Sequence, residues 1–202
     1  YFLFLNIIQY DEYTMLQKTY KTIENIENIC KPIIICNEEH RFIVAHQMKE
    51  IDVEPYAIVL EPEGRNTTPA ITIAALKVLE KFNDTNIDPV LLILSSDHEI
   101  KQITNFQLSI KKSISYAKEG DLVIFGVSPN YPSTGYGYIK SQKELNHDDF
   151  LVSRVDKFIE KPDIKTAKLM IKDKKYSWNS GMFVFKAKSI LEEIKNYAPE
   201  LS

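Results

Sequence analysis

Four short apolar runs without alternating polar residues constrain the fold of this chain more than any other feature. They lie at residues 32–36, 56–60, 90–94 and 122–126. Between them, apolar residues recur every three or four positions, which is typical of amphipathic helices. Strands without polar alternation are usually buried on both faces, and helices between them favour a mostly parallel sheet covered on both sides. We therefore predict an α/β fold.

Three later segments differ from these runs and predict additional strands. Residues 135–139, 155–159 and 181–185 alternate in polarity or are rich in turn residues, so we expect the mostly parallel sheet to be mixed. No repeat, linker or low-complexity tract interrupts the sequence, which favours a single domain over residues 1–202.

The composition argues against several classes of function. The chain has 202 residues, 44% of them hydrophobic, and a formal net charge of −3, so it has no overall positive field for nucleic acid or anionic lipid. No apolar stretch approaches the ~20 residues that span a bilayer. No basic residue precedes the apolar start at residues 1–5, so we expect no signal peptide and a cytoplasmic location. Cys30 and Cys36 are expected to be reduced thiols.

A polar segment leaves the sheet at a point where ligands commonly bind. Residues 95–98, Ser-Ser-Asp-His, directly follow the most apolar run, and parallel sheets bind ligands beyond the carboxyl ends of their strands. Asp97 is suited to Mg²⁺, which prefers one or two carboxylates together with substrate phosphates. A turn or helix-capping role is the commoner use of such an aspartate, and position alone favours it.

The loop at residues 61–68 combines Gly, Arg and Asn between a predicted strand and a predicted helix. Gly64 lets the backbone approach a flat ligand, and the amides that open the next helix favour anions. The side chain of Asn66 offers a donor and an acceptor for the edge of a base. A capped helix with Pro69 in its first turn explains the same residues, and spacing alone favours that explanation.

Two later segments carry polar residues that suit a sugar phosphate. Glu160 and Lys161 are neighbours, so on a strand they would face opposite ways unless a turn at Pro162 bends the chain; a solvated ion pair is the alternative. Asn179 interrupts an aromatic-rich strand and could bind sugar hydroxyls, although a simple turn also fits. The glycines of residues 134–139 likewise suit either ligand contact or a hairpin.

Five motifs in a fixed order carry more information than any one of them. They read GRNTTPA at 64–70, LSSDHEI at 94–100, FGVSPNYPSTGYGYI at 125–139, VDKFIEKPD at 155–163 and WNSGMFVFKA at 178–187. In this order they resemble the bacterial mannose-1-phosphate guanylyltransferases, also called GDP-mannose pyrophosphorylases. The resemblance covers essentially the whole chain. It implies a Rossmann-like, GT-A-like nucleotidyltransferase fold and the Mg²⁺-dependent transfer of GMP from GTP to mannose 1-phosphate.

The resemblance also implies roles for individual residues. Asp97 would hold Mg²⁺, and together with Lys161 it would form the catalytic pair. The residues expected to bind the nucleotide are Glu61, Gly64, Asn66, Thr67 and Ser96. The residues expected to bind mannose are Tyr136, Gly137, Glu160 and Asn179.

Two other functions are compatible with the same residues. One is a sugar nucleotidyltransferase that uses UTP or dTTP with glucose 1-phosphate, since base selectivity is a difference between affinities that no motif settles. The other is a nucleotide-sugar-binding remnant without catalysis. In each case we expect no nucleic-acid or membrane partner, and a homodimer is one option for the assembly.

The chain departs from the pattern of the family it resembles at its start. That pattern opens with a strand, a glycine-rich loop containing an Arg, and a Pro-Lys-Gln-Phe-Leu segment, whereas this chain begins Tyr-Phe-Leu-Phe-Leu. A later carboxylate and a C-terminal part of the family would lie beyond Ser202. We therefore expect a core truncated at both ends, with little or no turnover by the 202-residue chain alone.

Overall fold

The computed structural model describes residues 12–61, 67–144 and 152–199, which form a layered arrangement of strands and helices. The strands are β1 (Ile33–Asn37), β2 (Ala57–Glu61), β3 (Val90–Ile93), β4 (Val123–Val127), β5 (Tyr138–Ser141), β6 (Val155–Ile159) and β7 (Tyr176–Lys186). The helices are α1 (Met15–Lys21), α2 (Arg41–Glu50), α3 (Thr67–Lys81), α4 (Ile103–Lys118), α5 (Ile164–Met170) and α6 (Ala187–Tyr197). In these ranges, no helix combines the length and the apolar character of a membrane span.

Strand β7 organises the larger sheet because it pairs along both of its edges. Phe183 pairs with both β3 and β4, so those two strands lie on opposite edges of β7. Trp178 pairs with both β4 and β5, which places β5 on the edge that also carries β3. On that edge, β3 and β5 therefore lie one after the other, and β6 extends the sheet beyond β5.

The predicted mixed α/β architecture is confirmed, but the sheet is not mostly parallel in the described residues, where one strand pairing is parallel and four are antiparallel. Among the described residues β1 and β2 form a parallel pair, whereas β7 runs antiparallel to β3, β4 and β5. Strands β3 and β4 therefore point the same way without being neighbours. The helical connection expected between parallel strands is present as α4, but β7 is inserted between the two strands that α4 joins.

A bulge distorts the middle of β7. Its pairing with β4 passes from Phe183–Ile124 directly to Asn179–Gly126. Residues 180–182 therefore lie opposite a single residue of β4, and we call them the β7 bulge. A bulge of this kind bends a strand and redirects its side chains, and such bulges are frequent beside active sites.

Two apolar clusters hold the helices onto the sheet. The first joins α3 and α6 to β3 and β7, and its buried members are Ile71, Ala75, Leu91, Phe185 and Ala187. The second places α5 against β5 and β7, and its buried members are Tyr138, Ala167, Met170 and Trp178. Burying a large apolar side chain contributes roughly 1.5–3 kcal/mol, so these contacts fix the strand ends that carry the candidate site.

Replacing Gly126 with alanine is expected to destabilise the fold, because β4 and β7 approach closely there. A Cβ at this position would lie 2.7 Å from Cβ of Ser177, and relieving such an overlap typically costs about 1–3 kcal/mol. Gly135→Ala is the matched control, since its Cβ would meet only Oγ of Ser133 at 3.8 Å. Urea unfolding would measure both variants, and equal free energies of unfolding would contradict the close approach.

Candidate active site

The candidate site lies where the sheet is interrupted between β3 and β5. On the shared edge of β7, pairing with β3 ends at Phe183 and pairing with β5 begins at Trp178. The β7 bulge faces this interruption. Ser95, just after β3, reaches it: its Oγ is 3.4 Å from the position of a Cβ on Gly181, whose φ is +70°. Gly181 thus combines a backbone conformation that favours glycine with a close neighbour.

The sequence predicts no role for Ser95, although this residue belongs to the polar segment at residues 95–98. The predicted Ser96 and Asp97 follow it in an exposed turn. The Asp97 side chain is 73% exposed, and Nε2 of His98 lies 3.8 Å from its Oδ1. An open carboxylate of this kind fits a cation that also takes oxygen ligands from substrate phosphates and water. The described part of the chain contains no cluster of three or more potential His, Cys, Asp or Glu ligands.

Three of the predicted sugar-binding residues lie together on the other side of the bulge. The backbone N–H of Asn179 donates to the carbonyl of Gly137 over 2.8 Å. A Cβ on Gly137 would lie 2.8 Å from Oε2 of Glu160. The side-chain Oδ1 of Asn179 accepts from the N–H of Gly181 at 3.1 Å. Its Nδ2 donates no hydrogen bond within the described residues, so this group could donate to a ligand.

Lys161 lies beside Glu160 because the chain turns after β6. The φ of Lys161 is +40°, a conformation that costs a non-glycine residue roughly 1–3 kcal/mol. Nζ of Lys161 lies 3.7 Å from Oε1 of Glu160, and both side chains are largely exposed. Glu160 and Lys161 therefore do not face opposite ways as they would on a regular strand. The turn before Pro162 places their two charges on the same side.

An aromatic group packs around Trp178, on the central strand β7 and next to Asn179. Trp178 is 8% exposed, and the rings of Tyr131 and Tyr136 pack on it with centroid distances of 4.8 and 5.1 Å. A hydrogen bond with Tyr131 raises the pKa of Tyr136 above its ordinary value, and like any tyrosine it is neutral near pH 7. The indole N–H of Trp178 meets no acceptor among the described residues. Tyr136 thus contributes a ring to the packing and a neutral hydroxyl to the surface.

The predicted nucleotide-binding residues are only partly described. Glu61 is the last residue of β2 and pairs with Asn37 of β1, and Thr67 is the first residue of α3. Gly64 and Asn66 lie outside the described residues, so their predicted roles stay predictions. The expected helix beginning near Pro69 is confirmed by the start of α3.

Comparison with known proteins identifies the family. Residues 6–202 match the nucleotidyl transferase family. The chain belongs to it. The mannose-1-phosphate guanylyltransferase of Escherichia coli is 44% identical over 192 residues, which cover 95% of this chain and 41% of that protein. This chain therefore spans about two fifths of the length of the curated relatives it matches.

Solved structures of similar proteins agree with the fold. A structure described as mannose-6-phosphate isomerase from Helicobacter pylori has a TM-score of 0.79 and 33% identity, covering 95% of this chain and 69% of that one. A structure from Thermus thermophilus, described as mannose-1-phosphate geranyltransferase, has a TM-score of 0.76 at 23% identity and covers 93% of this chain and 51% of that one. The nucleotidyltransferase fold predicted from the motifs is thereby confirmed.

The start of α5, whose capping residue lies two residues after Lys161, is expected to weaken in acid. Asp163 caps α5, and hydrogen bonds from the N–H and hydroxyl of Thr166 and from the N–H of Lys165 lower the pKa of its carboxyl. A lowered folded pKa adds stability above the unfolded value, and this contribution is lost as the pH falls below about 4. Asp163→Asn should therefore flatten the acid part of the stability profile. Urea unfolding between pH 3 and 6 would measure this, and identical slopes for both proteins would contradict it.

Proposed function

We propose that the protein transfers GMP from GTP to mannose 1-phosphate, releasing pyrophosphate and forming GDP-mannose. The observation that carries the proposal is the gathering of Gly137, Glu160 and Asn179 beside the β7 bulge, next to the loop that begins at Ser95. The E. coli relative named mannose-1-phosphate guanylyltransferase supports the choice of substrates.

One hydrogen-bond acceptor and one hydrogen-bond donor would recognise the sugar hydroxyls. The carboxylate of Glu160 can only accept hydrogen bonds from sugar hydroxyls, whereas the Nδ2 group of Asn179 can only donate. Gly137 lets the carboxylate of Glu160 lie against the backbone, since a side chain at this position would collide with Oε2 of Glu160. Tyr136 offers a neutral hydroxyl at the edge of this subsite.

Lys161 and Asp97 would act on the phosphates. The ammonium group of Lys161 would neutralise the phosphate of the sugar. Asp97 would hold Mg²⁺, which, when bound, would neutralise charge on the nucleotide phosphates. We assign nucleotide binding to Glu61, Gly64, Asn66, Thr67 and Ser96.

The reaction needs no protein nucleophile under this proposal. An oxygen of the sugar phosphate attacks the α-phosphorus of GTP, and the bond from that phosphorus to the bridging oxygen breaks, so that pyrophosphate leaves with the electron pair. The residues would accelerate this step by aligning the two phosphates and by stabilising the charge that develops. The cytoplasmic location and the homodimer stay predictions.

A coupled assay of pyrophosphate release tests the activity and the base together. The protein is incubated with Mg²⁺, with mannose 1-phosphate or glucose 1-phosphate, and with GTP, UTP or dTTP. It is tested both alone and joined to the glycine-rich N-terminal segment of the family pattern. We expect release with GTP to exceed release with UTP or dTTP. Faster pyrophosphate release with UTP and glucose 1-phosphate would contradict the proposed substrates. Binding of GDP-mannose without any pyrophosphate release would favour the non-catalytic alternative.

Asp97→Asn is expected to reduce pyrophosphate release because it removes the charge proposed to hold Mg²⁺. We expect a fall in kcat of about 100-fold or more, typical of losing a group that stabilises transition-state charge. Glu99→Gln, which alters an exposed carboxylate two positions further along, is the matched control and should keep its activity. Equal rates of pyrophosphate release for the two variants would contradict the proposed role of Asp97.

Gly137→Ala is expected to affect the sugar more than the nucleotide. The new Cβ would fall 2.8 Å from Oε2 of Glu160 and from Cζ of Phe158, both of which can move, so the fold should tolerate it. Displacing Glu160 should raise KM for mannose 1-phosphate about tenfold, the equivalent of about 1.4 kcal/mol, with little change for GTP. Gly135→Ala serves as the control. An unchanged KM for the sugar phosphate would argue against this subsite.

A further inference from the structure

Ser180 is a buried residue of the β7 bulge that none of the roles above uses. It is 5% exposed and lies between Asn179 and Gly181, which flank the candidate sugar subsite and the loop at Ser95. A buried hydroxyl is costly unless it is hydrogen-bonded. Its bonds therefore indicate what it does in the fold.

The hydroxyl of Ser180 links the two strands at the position where the regular pairing fails. It donates to the carbonyl oxygen of Phe125 at 2.8 Å and accepts from the backbone N–H of Met182 at 3.2 Å. Phe125 is the residue of β4 that faces the bulge and is skipped in the register. Ser180 thus provides a side-chain bond to β4 at the point where the two backbones do not pair.

The same bulge sets the conformation of both neighbours of Ser180. Gly181 has a φ of +70°, and its N–H donates to Oδ1 of Asn179 at 3.1 Å. This bond determines which end of the Asn179 amide is left for a ligand. If the bulge relaxed, the orientation of that amide and the spacing between Gly181 and Ser95 would both change.

We propose that Ser180 is a positioning residue for the sugar subsite: its hydroxyl fixes the β7 bulge and thereby the donor group of Asn179. The inference rests on the proposed function, because it takes the ligand of Asn179 to be a sugar phosphate. Ser180 itself does not contact the substrate. Its effect is on the shape of the strand that presents Asn179.

The test compares Ser180→Ala with Ser177→Ala. Ser177 is also buried on β7, and within the described residues its hydroxyl takes part in no hydrogen bond. Trp178 is the single tryptophan of the chain and adjoins Asn179, so its fluorescence can follow titration with mannose 1-phosphate. We expect Ser180→Ala to weaken the binding of mannose 1-phosphate about tenfold, roughly the effect of losing one hydrogen bond. Ser177→Ala should bind mannose 1-phosphate like the wild type.

Hydrogen exchange gives a second readout that does not depend on the ligand. In Ser180→Ala the N–H of Met182 loses its acceptor, so it should exchange faster than in the wild type, whereas in Ser177→Ala it should not. Should Ser180→Ala not fold, Ser180→Cys keeps the size but offers only a weak acceptor, and the same directions are expected.

The outcomes separate the two hypotheses. Faster exchange together with weaker binding of mannose 1-phosphate supports the role of Ser180. Wild-type affinity in the Ser180 variants overturns that role and leaves the proposed function standing. A wild-type protein that gives no response to mannose 1-phosphate overturns the proposed function itself, and the role of Ser180 in it.

Discussion

The pairing of β7 along both edges is the constraint on which the rest of the site depends. One strand is bonded to β4 on one side and to β3 and β5 on the other. Strands β3 and β5 pair with the same edge of β7. The space between their ends therefore equals the stretch of β7 that pairs with neither of them. The β7 bulge occupies that space. Two of its backbone N–H groups, those of Gly181 and Met182, donate to the side chains of Asn179 and Ser180, which helps an interruption of the sheet to remain ordered.

This arrangement explains why small residues surround the candidate site. Gly181 adopts a left-handed conformation beside Ser95, and Gly137 lies so close to Glu160 that a methyl group would collide with it. At Gly181 the backbone conformation favours glycine, and at Gly137 a side chain would displace Glu160 or Phe158. Next to Asn179, the ring of Trp178 is buried in a cluster with Tyr138, Ala167 and Met170.

The elements of this fold follow from the sequence more readily than their arrangement does. The four apolar runs and the face of α3 are recognised because burial on both sides of a strand, or on one side of a helix, leaves a local pattern. The central place of β7 leaves no such pattern, since it depends on which distant strands share its edges. The placement of Glu160 and Lys161 on one side was equally hidden, because the positive φ of Lys161 reverses the alternation that a strand would impose. Ser95 was missed for a similar reason: its role depends on Gly181, far along the chain.

The charged groups of the candidate site would interact strongly with a ligand only once its binding excludes water. Asp97 and Lys161 have side chains that are 73% and 64% exposed, and the attraction of exposed charges in water is weak. The proposed phosphates would exclude water from the surfaces near both residues, which lowers the local dielectric and strengthens each interaction. Because these charges are exposed when no ligand is bound, the free energy of unfolding of the unliganded protein is not lowered by burying them. The rigid part of the site is therefore the uncharged framework of β7, and its electrostatic strength would arise only when the sugar phosphate and the nucleotide are both bound.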